Sequence, residues 1–136
     1  MRLALAAVAG LCAVVVPAAA ATPPPRFTGC RSFVSAHPVA LVRPRSLVVA
    51  CGDGNFYVTG IAWTSWGARG ASGTGTGRVN DCTPYCAAGH FHAYPVALSL
   101  RTAASCARRF TRLAWRFPLS RPSGSARSGA VVFRCR

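Results

Sequence analysis

The sequence predicts a small all-β domain, an antiparallel sandwich or barrel stabilised by three disulfides. Several stretches of the chain alternate apolar with polar or small residues, which is the period of a strand that buries one face. No stretch keeps the 3.6-residue period of a helix over more than two turns. The cysteines are the third observation, because an even number of them remains once the N-terminal segment is removed.

The N-terminal segment has the features of a secretion signal. Arg2 precedes an apolar run, and small residues ending at Ala21 fit an A-x-A cleavage site. The apolar run is shorter than the roughly 20 residues that span a bilayer, and no later stretch is long enough to anchor the chain. We therefore expect a secreted protein that is not integral to a membrane, with a signal peptide at 1–21, a proline-rich leader at 22–29 and a single domain at 30–136.

Removal of the signal takes the cysteine count from seven to six. Because an exported chain is oxidised, an even number of cysteines indicates disulfides, although their connectivity does not follow from sequence. Each bridge that closes a loop of some 20 residues would contribute about 3 kcal/mol by restricting the unfolded chain. The predicted structural cysteines are Cys30, Cys51, Cys82, Cys86, Cys106 and Cys135.

The charge of the chain is strongly positive. All sixteen basic residues are arginine, and the only acidic residues are Asp53 and Asp81, which gives a formal net charge of +14. Such a chain attracts nucleic acid, wall polymers and acidic lipid head groups. The absence of lysine removes the usual amine nucleophile. Glycoside hydrolysis by paired carboxylates would require both aspartates in one place.

The first strong strand prediction covers residues 55–66. It follows the turn Gly52-Asp53-Gly54, in which both glycines tolerate positive φ and the aspartate can bond its own backbone. Strict alternation would place apolar residues on both faces, so we expect a central strand. One face would carry Phe56, Val58 and Ala62, and the other Tyr57, Ile61 and Trp63.

The stretch 71–79 alternates glycine with hydroxyl-bearing side chains. A row of glycines on one face of a strand costs stability, but it opens a trough in which aromatic rings of a neighbouring strand can lie. Trp63 and Trp66 are the expected rings.

Two half-buried strands follow, at 94–101 and 111–117, and a last strand is predicted at 130–133, where Cys135 would pin its end. The faces opposite the apolar ones carry arginine, with Phe110 beside them. If these strands share one sheet, its outer face is cationic, which suits phosphate-rich polymers and stacked bases. The predicted anion-binding residues are Arg78, Arg101, Arg112 and Arg116.

The segment NDCTPYCAAGHFHAYP, residues 80–95, allows three interpretations. Cys82, Cys86, His90 and His92 could bind zinc, but the spacing is unfamiliar and the compartment is oxidising. We therefore predict no metal and no cofactor. Calcium could be bound by oxygens of Asp53, Asn55, Asn80 and Asp81, but two carboxylates from separate loops are few for a calcium site. We therefore interpret these four as turn residues.

The second interpretation is catalysis. In an extended segment His90 and His92 project to the same face. One neutral and one protonated imidazole, with arginine to hold negative charge, can cleave a phosphodiester, and Asp81 or Asp53 could orient one ring.

The third and preferred interpretation is a stapled turn. Cys82 and Cys86 could bond to each other only in a helical or tight turn, which Pro84 permits; otherwise they would tie the loop to distant strands. We therefore predict a non-enzymatic domain that binds an anionic polymer or surface, with a small phosphodiesterase or ribonuclease as the alternative.

The motifs Cys51–Tyr57, Trp63-x-x-Trp66-Gly67, Asn80–His92 and Thr111-Arg-Leu-x-Trp115 resemble small secreted actinobacterial proteins of uncharacterised function. The resemblance covers roughly residues 51–115. It implies export, and it carries no activity, cofactor or catalytic residue.

Overall fold

The computed structural model describes residues 21–30, 40–103, 105–106 and 108–135. The predicted all-β fold is confirmed: the described residues form strands and no helix, and the main sheet is curled into a half-barrel. That sheet is antiparallel, with six strands in the order β3-β4-β5-β6-β8-β9, and a second sheet has the order β2-β1-β7. The strands are β1 (Arg26–Thr28), β2 (Ala40–Leu41), β3 (Leu47–Val48), β4 (Phe56–Gly67), β5 (Gly70–Asn80), β6 (Phe91–Arg101), β7 (Arg109–Phe110), β8 (Arg112–Arg116) and β9 (Ser128–Val132).

Strand β4 lies inside the sheet, as predicted, but its two faces differ from the prediction. The register between β4 and β5 shifts between Thr59 and Ala62 and again between Trp63 and Ser65. Gly60 adopts φ +60° at the first shift, a conformation that glycine tolerates best. These bulges turn Trp63 towards the core and leave Ala62 exposed. The strand is therefore half-buried, and the expected two-sided apolar pattern is wrong because strict alternation ignores bulges.

The glycine face of β5 accepts the rings and branched side chains of its neighbours. A Cβ at Gly73 would lie 3.0 Å from Cε3 of Trp63 and 2.7 Å from the carbonyl oxygen of Ala62. The prediction for Trp63 is thus confirmed. Trp66 lies beside Ala71 instead and packs edge-on against Trp63 and Phe110.

The two predicted half-buried strands are confirmed in β6 and β8, whose inward residues supply much of the core. The second sheet contributes to the same core through Phe27 and Phe110. Ring contacts connect the second sheet to the main sheet. Phe27 packs edge-on against Phe133, which follows β9, and Phe110 packs edge-on against Trp66 on β4. The side chains that are least exposed in this core are Phe27, Val58, Val96, Leu100, Phe110, Leu113 and Phe117.

The predicted leader, residues 22–29, is partly built into the fold, so the expected domain boundary at residue 30 is too late. β1 begins directly after Pro25 and buries Phe27. The indole of Trp66 donates a hydrogen bond of 2.9 Å to the carbonyl oxygen of Pro25. The predicted signal peptide, apart from Ala21, lies outside the described residues.

Three disulfides are present, joining Cys30 to Cys51, Cys82 to Cys86, and Cys106 to Cys135. The last bridge pins the chain just after β9, as expected. Cys82 and Cys86 pair with each other, so the alternative in which they reach distant strands is wrong. Three disulfides indicate an oxidising environment. Within the described part of the chain, no helix has the length and apolar character needed to cross a bilayer.

Candidate functional site

The predicted arginines lie on the outer face of the main sheet, which is the face opposite the core. Arg101 on β6 and Arg112 on β8 are direct cross-strand partners. Arg116, four residues further along β8, lies opposite Ala97 on the same face. Like charges placed opposite each other in a sheet destabilise it, so an anion bound between Arg101 and Arg112 would relieve their repulsion.

Arg78 shares this face but stands apart from the other three arginines. It lies on β5, opposite Tyr57 on one side and Ala93 on the other. Ala93 precedes Ala97 by four residues on β6, which corresponds to about 13 Å along the strand. The structure therefore brings Arg101, Arg112 and Arg116 together as a cluster, and Arg78 marks the other end of the same surface.

Small side chains form the floor of the surface around the arginine cluster. A shallow depression of about 470 Å³ is lined by residues of β6, β8 and β9, among them Ser99, Arg112, Ala114, Arg116 and Ser128. The hydroxyl groups add neutral hydrogen-bond donors beside the guanidinium groups. Trp115 and Leu98 also line the depression, which is open to solvent beside the arginines.

The carboxylates of the chain lie away from this cluster. Asp53 is in the turn before β4 and Asp81 follows β5, and the chain has no other acidic side chain. Among the described residues, none of the four predicted arginines forms a salt bridge with a carboxylate. The face therefore keeps its positive charge for an external anion.

Phe110 does not contribute an aromatic edge to the cationic face, contrary to expectation. It is 1% exposed and packs against Trp66 in the core. The alternation of β8 does not extend back through Phe110, which belongs to the short strand β7 of the other sheet. The aromatic side chains on the outer face are Tyr57 and Phe91. Phe91 was not among the predicted residues, although the period of two that places His92 and Tyr94 on one face assigns Phe91 to the other.

The loop between β5 and β6 is organised by Asp81. One carboxylate oxygen, Oδ1, accepts hydrogen bonds from the backbone N–H groups of His90 at 2.9 Å and Thr83 at 3.1 Å. The neighbouring Asn80 accepts from the backbone N–H of Cys82 and donates to the carbonyl oxygen of Cys86. These bonds and the bridge between the two cysteines close the loop on itself. They support the stapled-turn interpretation.

His92 approaches Asp81 as the catalytic interpretation requires. Its Nε2 lies 2.8 Å from Oδ2 of Asp81, and the two side chains are 52% and 31% exposed. They line a cleft of about 440 Å³ together with Tyr94, Ser123 and Ser125. His90 does not line this cleft, and its backbone rather than its ring contacts Asp81. The structure thus joins one imidazole to the carboxylate, and Asp53 plays no part because it bonds elsewhere.

The structure also bears on the two metal interpretations. Cys82 and Cys86 are joined in a disulfide, so they offer no thiolates to zinc. Asp53 accepts from both the backbone and the side chain of Asn55, and Asn80 donates to Asn55 Oδ1 at 2.9 Å. These oxygens thus hold two adjoining turns together. Within the described ranges, no three potential metal-ligating side chains are grouped around one point.

Both aspartates have pKa values below the ordinary carboxyl value of 3.8. For Asp53 the main cause is the hydrogen bond from the Asn55 backbone, followed by that from its side chain. For Asp81 the shift of the pKa is larger, and its causes in order are the His90 backbone N–H, the His92 side chain and the Thr83 backbone N–H. Hydrogen bonds that favour the ionised form lower the pKa of a carboxyl group.

These pKa shifts predict that the protein loses stability in acid and that Asp81→Asn reduces this loss. A carboxyl whose pKa is lower in the folded state stabilises the fold above its unfolded value of 3.8, and this contribution is lost as the pH falls towards the folded pKa. Urea unfolding between about pH 2 and pH 6 measures it as a slope of the unfolding free energy. Because the chain has only two acidic side chains, Asp53 is the only other carboxyl side chain that contributes. Equal slopes for the wild type and Asp81→Asn would contradict the prediction.

Comparison of the chain with protein-family models, with curated proteins and with solved structures returns no match.

Proposed function

We propose that the protein is a secreted, non-enzymatic binding domain whose cationic outer face takes up an anionic polymer or surface. The observation that carries this proposal is the direct pairing of Arg101 with Arg112 beside Arg116, on a face without a carboxylate partner among the described residues. Guanidinium groups are permanently charged and bind phosphate with two parallel hydrogen bonds. The backbone of these arginines is fixed in a sheet rather than in a loop, so binding has to order only their side chains.

Export forms part of the same proposal. The three disulfides agree with an oxidising compartment, and the N-terminal sequence agrees with a signal peptide. The resemblance of the sequence to secreted actinobacterial proteins is likewise a proposal, and it agrees with export. A polymer outside the cell would then be the partner.

The test is a salt titration of binding by the purified mature protein. Single-stranded and duplex DNA, a poly(glycerol phosphate) wall polymer and vesicles with acidic phospholipid are offered in turn, and affinity is followed by anisotropy or co-sedimentation. The proposal predicts binding that weakens steeply as salt is added, because bound phosphates release counterions. Absence of salt-sensitive binding to all of these ligands would refute it.

The contact between His92 and Asp81 favours a second candidate, a small phosphodiesterase. Asp81 would hold His92 in one orientation, and the other ring nitrogen would accept a proton. His90 lies outside the cleft that His92 lines, so it would act as the second imidazole on a substrate that extends beyond this cleft. The cleft beside His92 has room for a substrate and carries the hydroxyl groups of Ser123 and Ser125.

This candidate predicts cleavage of a ribonucleotide phosphodiester with a bell-shaped pH profile. His92→Ala should abolish the activity. His90→Ala should remove the limb of the pH–rate profile that reports His90 acting as the protonated acid. Asp81→Asn should lower the rate because His92 is no longer held in its orientation. Circular dichroism checks that each variant is folded. Activity that survives both histidine replacements would exclude the candidate.

A further inference from the structure

The outer face carries an aromatic pair at the end where Arg78 lies. Tyr57 on β4 and Phe91 on β6 have ring centroids 5.2 Å apart with planes inclined by 56°. Since β5 runs between these strands, the two rings meet across it. Phe91 is 42% exposed, so part of its ring faces solvent.

The position of this pair distinguishes it from the core aromatics. Phe56, Trp115 and Phe117 contact one another on the core side of the sheet. Tyr57 lies opposite Arg78 and Phe91 lies opposite Asn80, both on the outer face. The rings therefore belong to the same surface as the arginine cluster.

Arginines and an exposed aromatic ring on one face match the two parts of a single nucleic-acid strand. Guanidinium groups attract the phosphates, and aromatic rings stack on bases that are not paired. The stretch of β6 from Ala93, beside Arg78, to Arg101 covers nine residues, about 27 Å. The side chains of β5 and β6 that separate the two ends on this face are small or hydroxyl-bearing: Ser72, Thr74, Thr76, Pro95, Ala97 and Ser99. They leave the path between the ends open.

We propose that the ligand of the cationic face is single-stranded nucleic acid, with a base stacked on Phe91, whose ring packs against Tyr57 beside Arg78, and the following phosphates held by Arg116, Arg112 and Arg101. This inference rests on the proposed function and specifies its ligand. A duplex keeps its bases stacked within the helix, and wall phosphates or acidic lipids have no base to stack. Those ligands would engage the arginines only.

The experiment compares three anions at several salt concentrations: an oligothymidylate of about twelve nucleotides, a duplex of the same length, and inorganic polyphosphate. Phe91→Ala is expected to weaken binding of the single strand about tenfold, within the range expected when one base no longer stacks on a ring. Its affinity for polyphosphate is expected to stay unchanged. Phe91→Trp should restore or improve binding of the single strand, since it keeps a larger ring.

Tyr85→Ala is the matched control. Tyr85 is 63% exposed but lies in the loop between β5 and β6, so its removal should change the affinity for neither the single strand nor polyphosphate. If all three anions bind alike and Phe91→Ala has no effect, the inference is overturned while the cationic-face function stands. Tighter binding of the duplex than of the single strand would likewise overturn the inference and leave the cationic-face function standing. If no anion binds in a salt-sensitive way, the proposed function fails together with the inference.

Discussion

Replacing Arg101 and Arg112 together by alanine is expected to weaken binding of single-stranded DNA by two orders of magnitude or more and to flatten its salt dependence. Each charge-assisted hydrogen bond is worth about 1.5–3 kcal/mol, roughly tenfold or more in affinity. For a single strand, each phosphate that the protein no longer neutralises lowers the slope of log affinity against log salt by about 0.7. Anisotropy titrations at several salt concentrations measure both quantities.

The control removes the same charge from the opposite edge of the sheet. Arg43 and Arg45 precede β3, whereas β8 and β9 form the other edge. Arg43→Ala with Arg45→Ala should leave most of the slope intact. Equal losses for the two double variants would show that net charge, and not this face, attracts the polymer. The Arg101 and Arg112 replacements should not lower thermal stability, because they remove a like-charge cross-strand pair.

Phe117→Ala is expected to lower the free energy of unfolding by about 3–5 kcal/mol, because a large aromatic ring is removed from a packed core. Phe117 is 1% exposed and contacts Phe56, Tyr94 and Trp115, with ring centroids 5.2–5.8 Å away. The loss is a large part of the stability of a domain of this size. Urea unfolding with the disulfides intact measures it.

Phe91→Ala is the matched control, since it removes the same ring from the outer face, where 42% of the residue is exposed. Its cost should be well below that of Phe117→Ala. If Phe117→Ala does not fold, Phe117→Leu keeps most of the buried surface and should give a smaller, measurable loss. Equal costs at positions 117 and 91 would contradict the assignment of the two faces.

Much of the strand framework was predictable because alternation is a local property. Over the predicted strands at 94–101 and 111–117 the apolar side chains of one parity are buried or half-buried in the structure. The glycines of β5 alternate in the same way, and Trp63 does pack on one of them. The predicted arginines could likewise be assigned to the opposite face, because their positions within each strand have the parity that points away from the core.

The details that failed depend on contacts between distant parts of the chain. Alternation could not show the bulges that turn Trp63 inwards, nor that Phe110 belongs to a second sheet. Both errors concern which face an aromatic residue joins, and one extra residue in a strand exchanges the faces. The contact between Tyr57 and Phe91 could not be predicted either, because it depends on β5 lying between β4 and β6 in the sheet.

The sequence by itself determined the all-β class, the cationic composition, the six cysteines and the set of candidate residues. These properties follow from residue type and local period, which are independent of how the strands pair. Only the tertiary structure decided that Cys82 bonds to Cys86, that His92 rather than His90 contacts Asp81 through its ring, and that Arg101 faces Arg112. Each of these contacts depends on strand register and loop closure, which are fixed by the packing of the whole core.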